Sequence, residues 1–200
     1  MARPASFGEA VAFAATIAGK ATATAGVEIS AWTSVGSEGA GTIVWTAAFD
    51  TLVDWEAAGD KLGGDADYVS AVQAADGLFT GTVDDGLLNI VAGLGGDPAA
   101  NTYVGIVRAT CAGGKLGAGM AQGVAIAEAA TRVGGLNTVF GSEVTGAYGG
   151  VRWLTGAPNI AALEAASNAI AGSQEFVELV DGGGGLYLPD AQQAMFRRIA

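Results

Sequence analysis

Residues 45–58 read WTAAFDTLVDWEAA, and residues 153–166 read WLTGAPNIAALEAA. At a spacing of 108 positions Trp45 meets Trp153, Leu52 meets Ile160, and Glu56-Ala57-Ala58 meets Glu164-Ala165-Ala166. Both stretches open β-like and then turn helical. Leu52, Trp55, Ala58 and Leu62 form one apolar stripe at helical spacing, and Ile160, Leu163, Ala166 and Ile170 form its counterpart.

The same spacing extends in both directions. Upstream, Gly26 aligns with Gly134, Ser34 with Ser142 and Gly41 with Gly149. Downstream, Gly64 aligns with Gly172, Val69 with Val177, Val72 with Val180, and Gly77-Leu78 with Gly185-Leu186. Conservative pairs fill the intervals: Trp32 with Phe140, Leu62 with Ile170, Tyr68 with Phe176, Phe79 with Tyr187. Composition alone could supply the Ala and Gly matches, but hardly the aromatic ones in register. The chain reads as one unit written twice.

Each copy has a common order of elements. Residues 7–23 and 115–132 carry small and apolar residues at helical spacing and end near Gly26 and Gly134. Two β-like runs follow, 27–34 and 42–47, separated by the turn Gly36-Ser37-Glu38-Gly39; their counterparts are 138–144 and 151–155, around Gly146 and Gly149. After the striped helix a shorter one begins, with Asp65 or Ser173 as its N-cap. A final strand is expected at Leu78-Phe79 and at Leu186-Tyr187. A clear strand, 102–110, precedes the second copy, and the first copy has no equivalent. The expected fold is α+β: two tandem ferredoxin-like (βαββαβ) units forming an internal pseudo-dimer, the first lacking its opening strand. The expected boundaries are 1–92 for the first unit, 93–100 for a Gly-rich linker carrying Pro98, and 101–200 for the second. Residues 87–91 are expected to add a strand, mirrored by 194–199.

Composition narrows function by exclusion. A net charge of −11, with nine scattered basic residues, argues against a nucleic-acid partner, because phosphate binding needs clustered Lys and Arg. No uncharged apolar run reaches the roughly 18 residues of a membrane helix. The chain has no histidine, which removes His-ligated haem, the common zinc sites and every Ser-His or Cys-His nucleophile pair. The single cysteine, Cys111, excludes an internal disulfide and reads as a small buried hydrophobe. Arg3 and the Ala-rich stretch to Ala23 loosely mimic a signal peptide, but Glu9 and Lys20 interrupt it, so the expected location is the cytoplasm.

The fused units, each with a broken second helical region, resemble the dimeric α+β barrel superfamily, including NIPSNAP-type proteins and antibiotic-biosynthesis monooxygenases. Trp45 and Trp153 in the third strand carry the resemblance, with the helices 54–62 and 162–170 and the stretches 64–68 and 172–176. It implies paired sheets within one chain and a ligand between a sheet and its helices. Haem-using members ligate through histidine, so the resemblance leaves cofactor-free chemistry on an aromatic substrate or plain binding of a small apolar molecule.

Four residues stand out as ligand-binding candidates. Trp45 and Trp153 each offer a broad indole face and one N–H donor, although core packing would use both as well. Arg108 and Arg152 lie within predicted strands, where each could hold a carboxylate ligand or pair with a nearby Asp or Glu. Trp32, Phe140, Trp55 and Leu163 read as core. The stretch 113–119, GGKLGAG, has a phosphate-loop spacing, but the aligned positions Ala5, Glu9 and Val11 lack its glycines; it reads as a tight strand-to-helix turn. No residue is assigned a catalytic role, and no cofactor or metal is expected. The leading reading is a small-molecule-binding protein of the dimeric α+β barrel type. The alternatives are a cofactor-independent monooxygenase-like enzyme on an aromatic or apolar substrate, and a structural protein that forms homo-oligomers through exposed sheet edges.

Overall fold

The computed structural model describes residues 1–37, 39–80 and 83–200, so Glu38 of the expected 36–39 turn lies outside the described residues. The chain forms two compact units, Met1–Val83 with Phe196–Ala200, and Asp84–Met195.

The first unit contains α1 (Phe7–Ala25), β1 (Ser30–Ser34), β2 (Ile43–Thr46), α2 (Leu52–Gly64) and α3 (Ala66–Gln73). β1 pairs antiparallel with β2 and, on its other side, with the last residues of β7 (Gln192–Arg198). The alanine-rich α1 presents Ala10, Ala14, Ala18 and Ala21 to the core and ends at Gly26, whose φ of 79° is the left-handed cap that glycine adopts freely. Side-chain oxygens start the next two helices: Thr51 accepts the Asp54 N–H, and Asp65 accepts the Asp67 and Tyr68 N–H groups.

The second unit contains β3 (Leu88–Ala92), β4 (Tyr103–Thr110), α4 (Leu116–Gly134), β5 (Thr138–Glu143), β6 (Gly150–Ala157), α5 (Ile160–Ala171), α6 (Gln174–Asp181) and the start of β7. Its strands run β7-β4-β6-β5-β3. Phe140, Val151, Trp153, Ala127 and Cys111 form its core, between the sheet and α4. Asn159 and Ser173 cap α5 and α6 through the Ala162 and Phe176 N–H groups. The glycine-rich stretch after β3 is docked: the Asn137 side-chain amide donates to the carbonyls of Gly93 and Gly95, at 3.0 and 2.9 Å.

The mixed α+β architecture is the expected one, and the element order of the first unit recurs in the second. The register needs a correction. The helix cap Gly26 corresponds to Gly135, not Gly134, since each donates its N–H to a threonine carbonyl four residues back, Thr22 or Thr131. Ala31 stands opposite Trp45 as Phe140 stands opposite Trp153, so Phe140 corresponds to Ala31 and not to Trp32. The first helix and strand therefore match at a spacing of 109 (26 to 135, 31 to 140), and the rest at 108 (45 to 153). One extra residue in the first hairpin loop accounts for the slip: 35–41 holds seven residues and 144–149 six. The strands expected at Leu78-Phe79 and Leu186-Tyr187 are single β-bridges, Ala2 with Phe79 and Cys111 with Tyr187. Among the described residues no strand precedes α1. Trp55, expected in the core, is 38% exposed, whereas its counterpart Leu163 is 8% exposed. No helix among the described residues is long and apolar enough to cross a membrane.

Candidate functional site

Alternation along each strand sorts the candidate residues onto two faces of the second unit's sheet. On the helix side, Trp153 of β6 lies between Phe140, 5.2 Å away by ring centroid, and Tyr187, met edge-on at 5.5 Å. The Trp153 Nε1 donates to the Gly123 carbonyl of α4 at 2.8 Å, and the Tyr187 hydroxyl donates to the Gly119 carbonyl at 2.5 Å. Burial, and secondarily the neighbouring Cys111 thiol, pushes the Tyr187 phenol up to about 12. Burial pushes the Cys111 thiol up as well. Both groups are therefore neutral at ordinary pH. The turn 113–119 brings Gly119 against both of them. Gly114 takes a φ of 74°, and a methyl group on Gly119 would come within 2.7 Å of the Cys111 Sγ.

In the first unit Trp45 is half-buried. Its Nε1 donates to the Ala14 carbonyl of α1 at 3.1 Å, and its ring meets the edge of Phe79 at 6.3 Å. Each candidate tryptophan thus has its N–H engaged by a helix carbonyl of its own unit.

The arginines come together on the opposite face. Arg108 of β4 and Arg152 of β6 are direct cross-strand partners, which puts two positive charges side by side. Glu143, at the end of β5, resolves this for one of them. Its Oε1 accepts from the Arg152 Nε at 2.9 Å and Nη2 at 2.7 Å, and its Oε2 accepts the Ala147 N–H at 3.0 Å. The Glu143 side chain is only 12% exposed, so this is a shielded pair that also pins the 144–149 loop. Arg108 is exposed and has no hydrogen-bond or ion-pair partner among the described residues.

A shallow cleft of about 160 Å³ opens there, lined by Arg108, Thr110, Glu143, Gly150, Asp190 and Gln192. Glu143, Asp190 and Gln192 were not among the residues singled out in the sequence. Glu143 was within reach of pattern reasoning: β5 and β6 pair antiparallel, and its side chain points to the same face as that of Arg152. Asp190 and Gln192 enter from the loop before β7 and the strand's first residue, and no spacing announces them.

No protein-family model matches the sequence, and no curated protein matches it. Solved structures do. A candidate monooxygenase from Fusobacterium nucleatum subsp. nucleatum matches all of this chain and 88% of its own, with a TM-score of 0.70 at 9% identity. A candidate monooxygenase from Lactobacillus acidophilus matches all of this chain and 90% of its own, with a TM-score of 0.64 at 10% identity. An anthrone oxidase-like protein matches all of this chain and 88% of its own, with a TM-score of 0.66 at 10% identity. At such identities the likeness is one of fold, and the fold is that of the dimeric α+β barrel proteins.

Proposed function

We propose that this chain binds a small molecule carrying an acidic group, held by Arg108 in the cleft of the second unit. The exposed, unpartnered guanidinium carries this reading. A planar fork of donors suits a carboxylate, phenolate or enolate oxygen. Its neighbour Arg152 is already paired with Glu143, which leaves Arg108 as the cation without an ion-pair partner among the described residues in a lining that also holds Asp190, with Gln192 and Thr110 as further polar contacts. At about 160 Å³ the cleft suits a single-ring acid rather than a bulky ligand. The reading favours the arginines over Trp45 and Trp153, whose N–H groups are engaged inside their units.

The matching elements and hydrogen bonds support descent of both units from one duplicated module. On that view the site arose in the second copy alone, because Arg152 corresponds to Val44 and Glu143 to Ser34.

The names of the similar structures favour a second reading, a cofactor-independent oxygenase in which Arg108 would hold the oxyanion of an ionised phenolic substrate. Calorimetric titration with benzoate, salicylate and neutral benzamide tests the binding reading. Saturable binding of the acids, weakened at least tenfold in Arg108→Gln and absent for benzamide, is expected; equal binding by Arg108→Gln sinks it. Oxygen uptake on adding an anthrone would bring the oxygenase reading forward.

A further inference from the structure

We propose that the cleft of the second unit selects a zwitterion: a small acid that also carries a cationic nitrogen, with its acidic group on Arg108 and its ammonium on the Asp190 carboxylate. This rests on the reading of Arg108 as the group that holds the acid, and it names which acids the cleft prefers.

Two opposite charges line this one cleft of about 160 Å³. Like Arg108, Asp190 is exposed and has no hydrogen-bond or ion-pair partner among the described residues. The two side chains share the lining without pairing with each other.

Each charge stands on an anchored piece of backbone. Arg108 lies within β4, on the same face as Thr110, and is held by the pairing of β4 with β6. Asp190 follows Pro189, whose ring fixes its own φ. Just before it, Leu188 donates its N–H to the Thr110 carbonyl, and Ala112 donates to the Leu186 carbonyl, both at 2.8 Å. These bonds flank the bridge between Cys111 and Tyr187. The segment that leads into Asp190 is therefore tied to the end of β4, two residues beyond Arg108.

The other charges at the cleft are occupied. Glu143 takes two donors from Arg152 on Oε1 and the Ala147 N–H on Oε2. Arg152 with Glu143, and Arg108 with Asp190, sum to zero. A plain acid would answer Arg108 and bring a like charge into the cleft that Asp190 lines; a plain amine would do the reverse. A ligand with both charges answers both groups. It also brings no net charge to a protein carrying −11, whose field repels free anions.

Calorimetric titration of the full chain with meta- and para-(aminomethyl)benzoate, against the equally sized meta- and para-ethylbenzoate, tests this. The better aminomethyl isomer should bind at least about threefold more tightly than its ethyl counterpart, the scale of one solvent-exposed ion pair. Asp190→Asn should move the two affinities in opposite directions, weakening the aminomethyl acid and tightening the ethyl one, which loses a repelling charge. Arg108→Gln should weaken both. An aminomethyl acid that binds no better than its ethyl counterpart, or an advantage that persists in Asp190→Asn, overturns the zwitterion; the Arg108 reading then still stands if Arg108→Gln weakens both acids. Binding of neither acid overturns the zwitterion and the Arg108 reading together.

Discussion

Gly123 of α4 lies against Phe140 of β5 so closely that a methyl group on its α-carbon would overlap the ring. At the corresponding places in the first unit stand Ala14 and Ala31, both fully buried. The two units thus fill the same contact in opposite ways, one with no side chain against a large ring, the other with two methyl groups. Gly123→Ala should gain about 1 kcal/mol of helix propensity and still destabilise, because overpacking a full core costs roughly 1–3 kcal/mol. Urea unfolding checks the sign. Ala31→Phe should likewise destabilise alone and recover in part when Ala14→Gly accompanies it, a coupling that a double-mutant cycle reads directly.

The two cross-strand arginines should respond differently to removal. Glu143→Ala leaves the Arg152 guanidinium and the Ala147 N–H without their acceptor in a shielded place, and should cost about 1–3 kcal/mol. Arg108→Ala removes an exposed side chain with no partner among the described residues and should fall within about 0.5 kcal/mol of the parent. Thermal or urea unfolding of the pair decides. An Arg108→Ala loss as large as that of Glu143→Ala would show that Arg108 holds the fold together and would remove it as a free ligand-binding group.

Tyr187 should make the second unit sensitive to alkali. Its folded phenol is raised to about 12, above the ordinary value of about 10, so the neutral form is favoured in the fold. The stability this carries is complete below about pH 10 and is lost as pH rises through about 12. Tyr187→Phe should cost about 1 kcal/mol at pH 7, for the hydroxyl bond to the Gly119 carbonyl. It should also show a shallower fall in stability between pH 10 and 12, measured by urea unfolding at fixed pH steps.

Much of the fold was legible because the residues that set it act locally. The caps at Asp65 and Ser173, the stripes of α2 and α5 and the strand at β4 all follow from short-range chemistry. Before the first hairpin loop the sequence spacing runs one residue off the structural register, because Gly134-Gly135 offers two candidate caps and only the hydrogen bond to Thr131 selects the second. Trp55 belongs to an apolar stripe that points to the core, yet it is exposed while Ala58, one turn on, is buried; a periodic pattern fixes a helix face, not how far that face is covered. At the candidate site, Arg108 and Arg152 could be singled out as charges within strands. That they meet each other depends on the β4–β6 register, and that Arg108 is left unpartnered depends on where Glu143 falls, neither of which a single stretch of sequence encodes.

The caps of α3 and α6 should separate in acid. Asp65 accepts the Asp67 and Tyr68 N–H groups and the Thr24 hydroxyl, the last at 2.7 Å, and these bonds hold its carboxyl below the ordinary carboxylate range, the Tyr68 N–H most of all. A lowered carboxyl stabilises the fold above its unfolded value of about 3.9 and loses that contribution as pH falls through the folded value. Ser173 caps α6 with a hydroxyl that does not titrate, donated to by the Phe176 N–H at 3.2 Å. Amide exchange followed from pH 6 to pH 2.5, corrected for intrinsic rates, should show α3 losing protection below about pH 4 while α6 keeps its own. Asp65→Ser, which gives α3 the cap that α6 already has, should abolish the difference. If α3 frays in acid just as much with serine at the cap, the pH sensitivity belongs to another group and the Asp65 assignment fails.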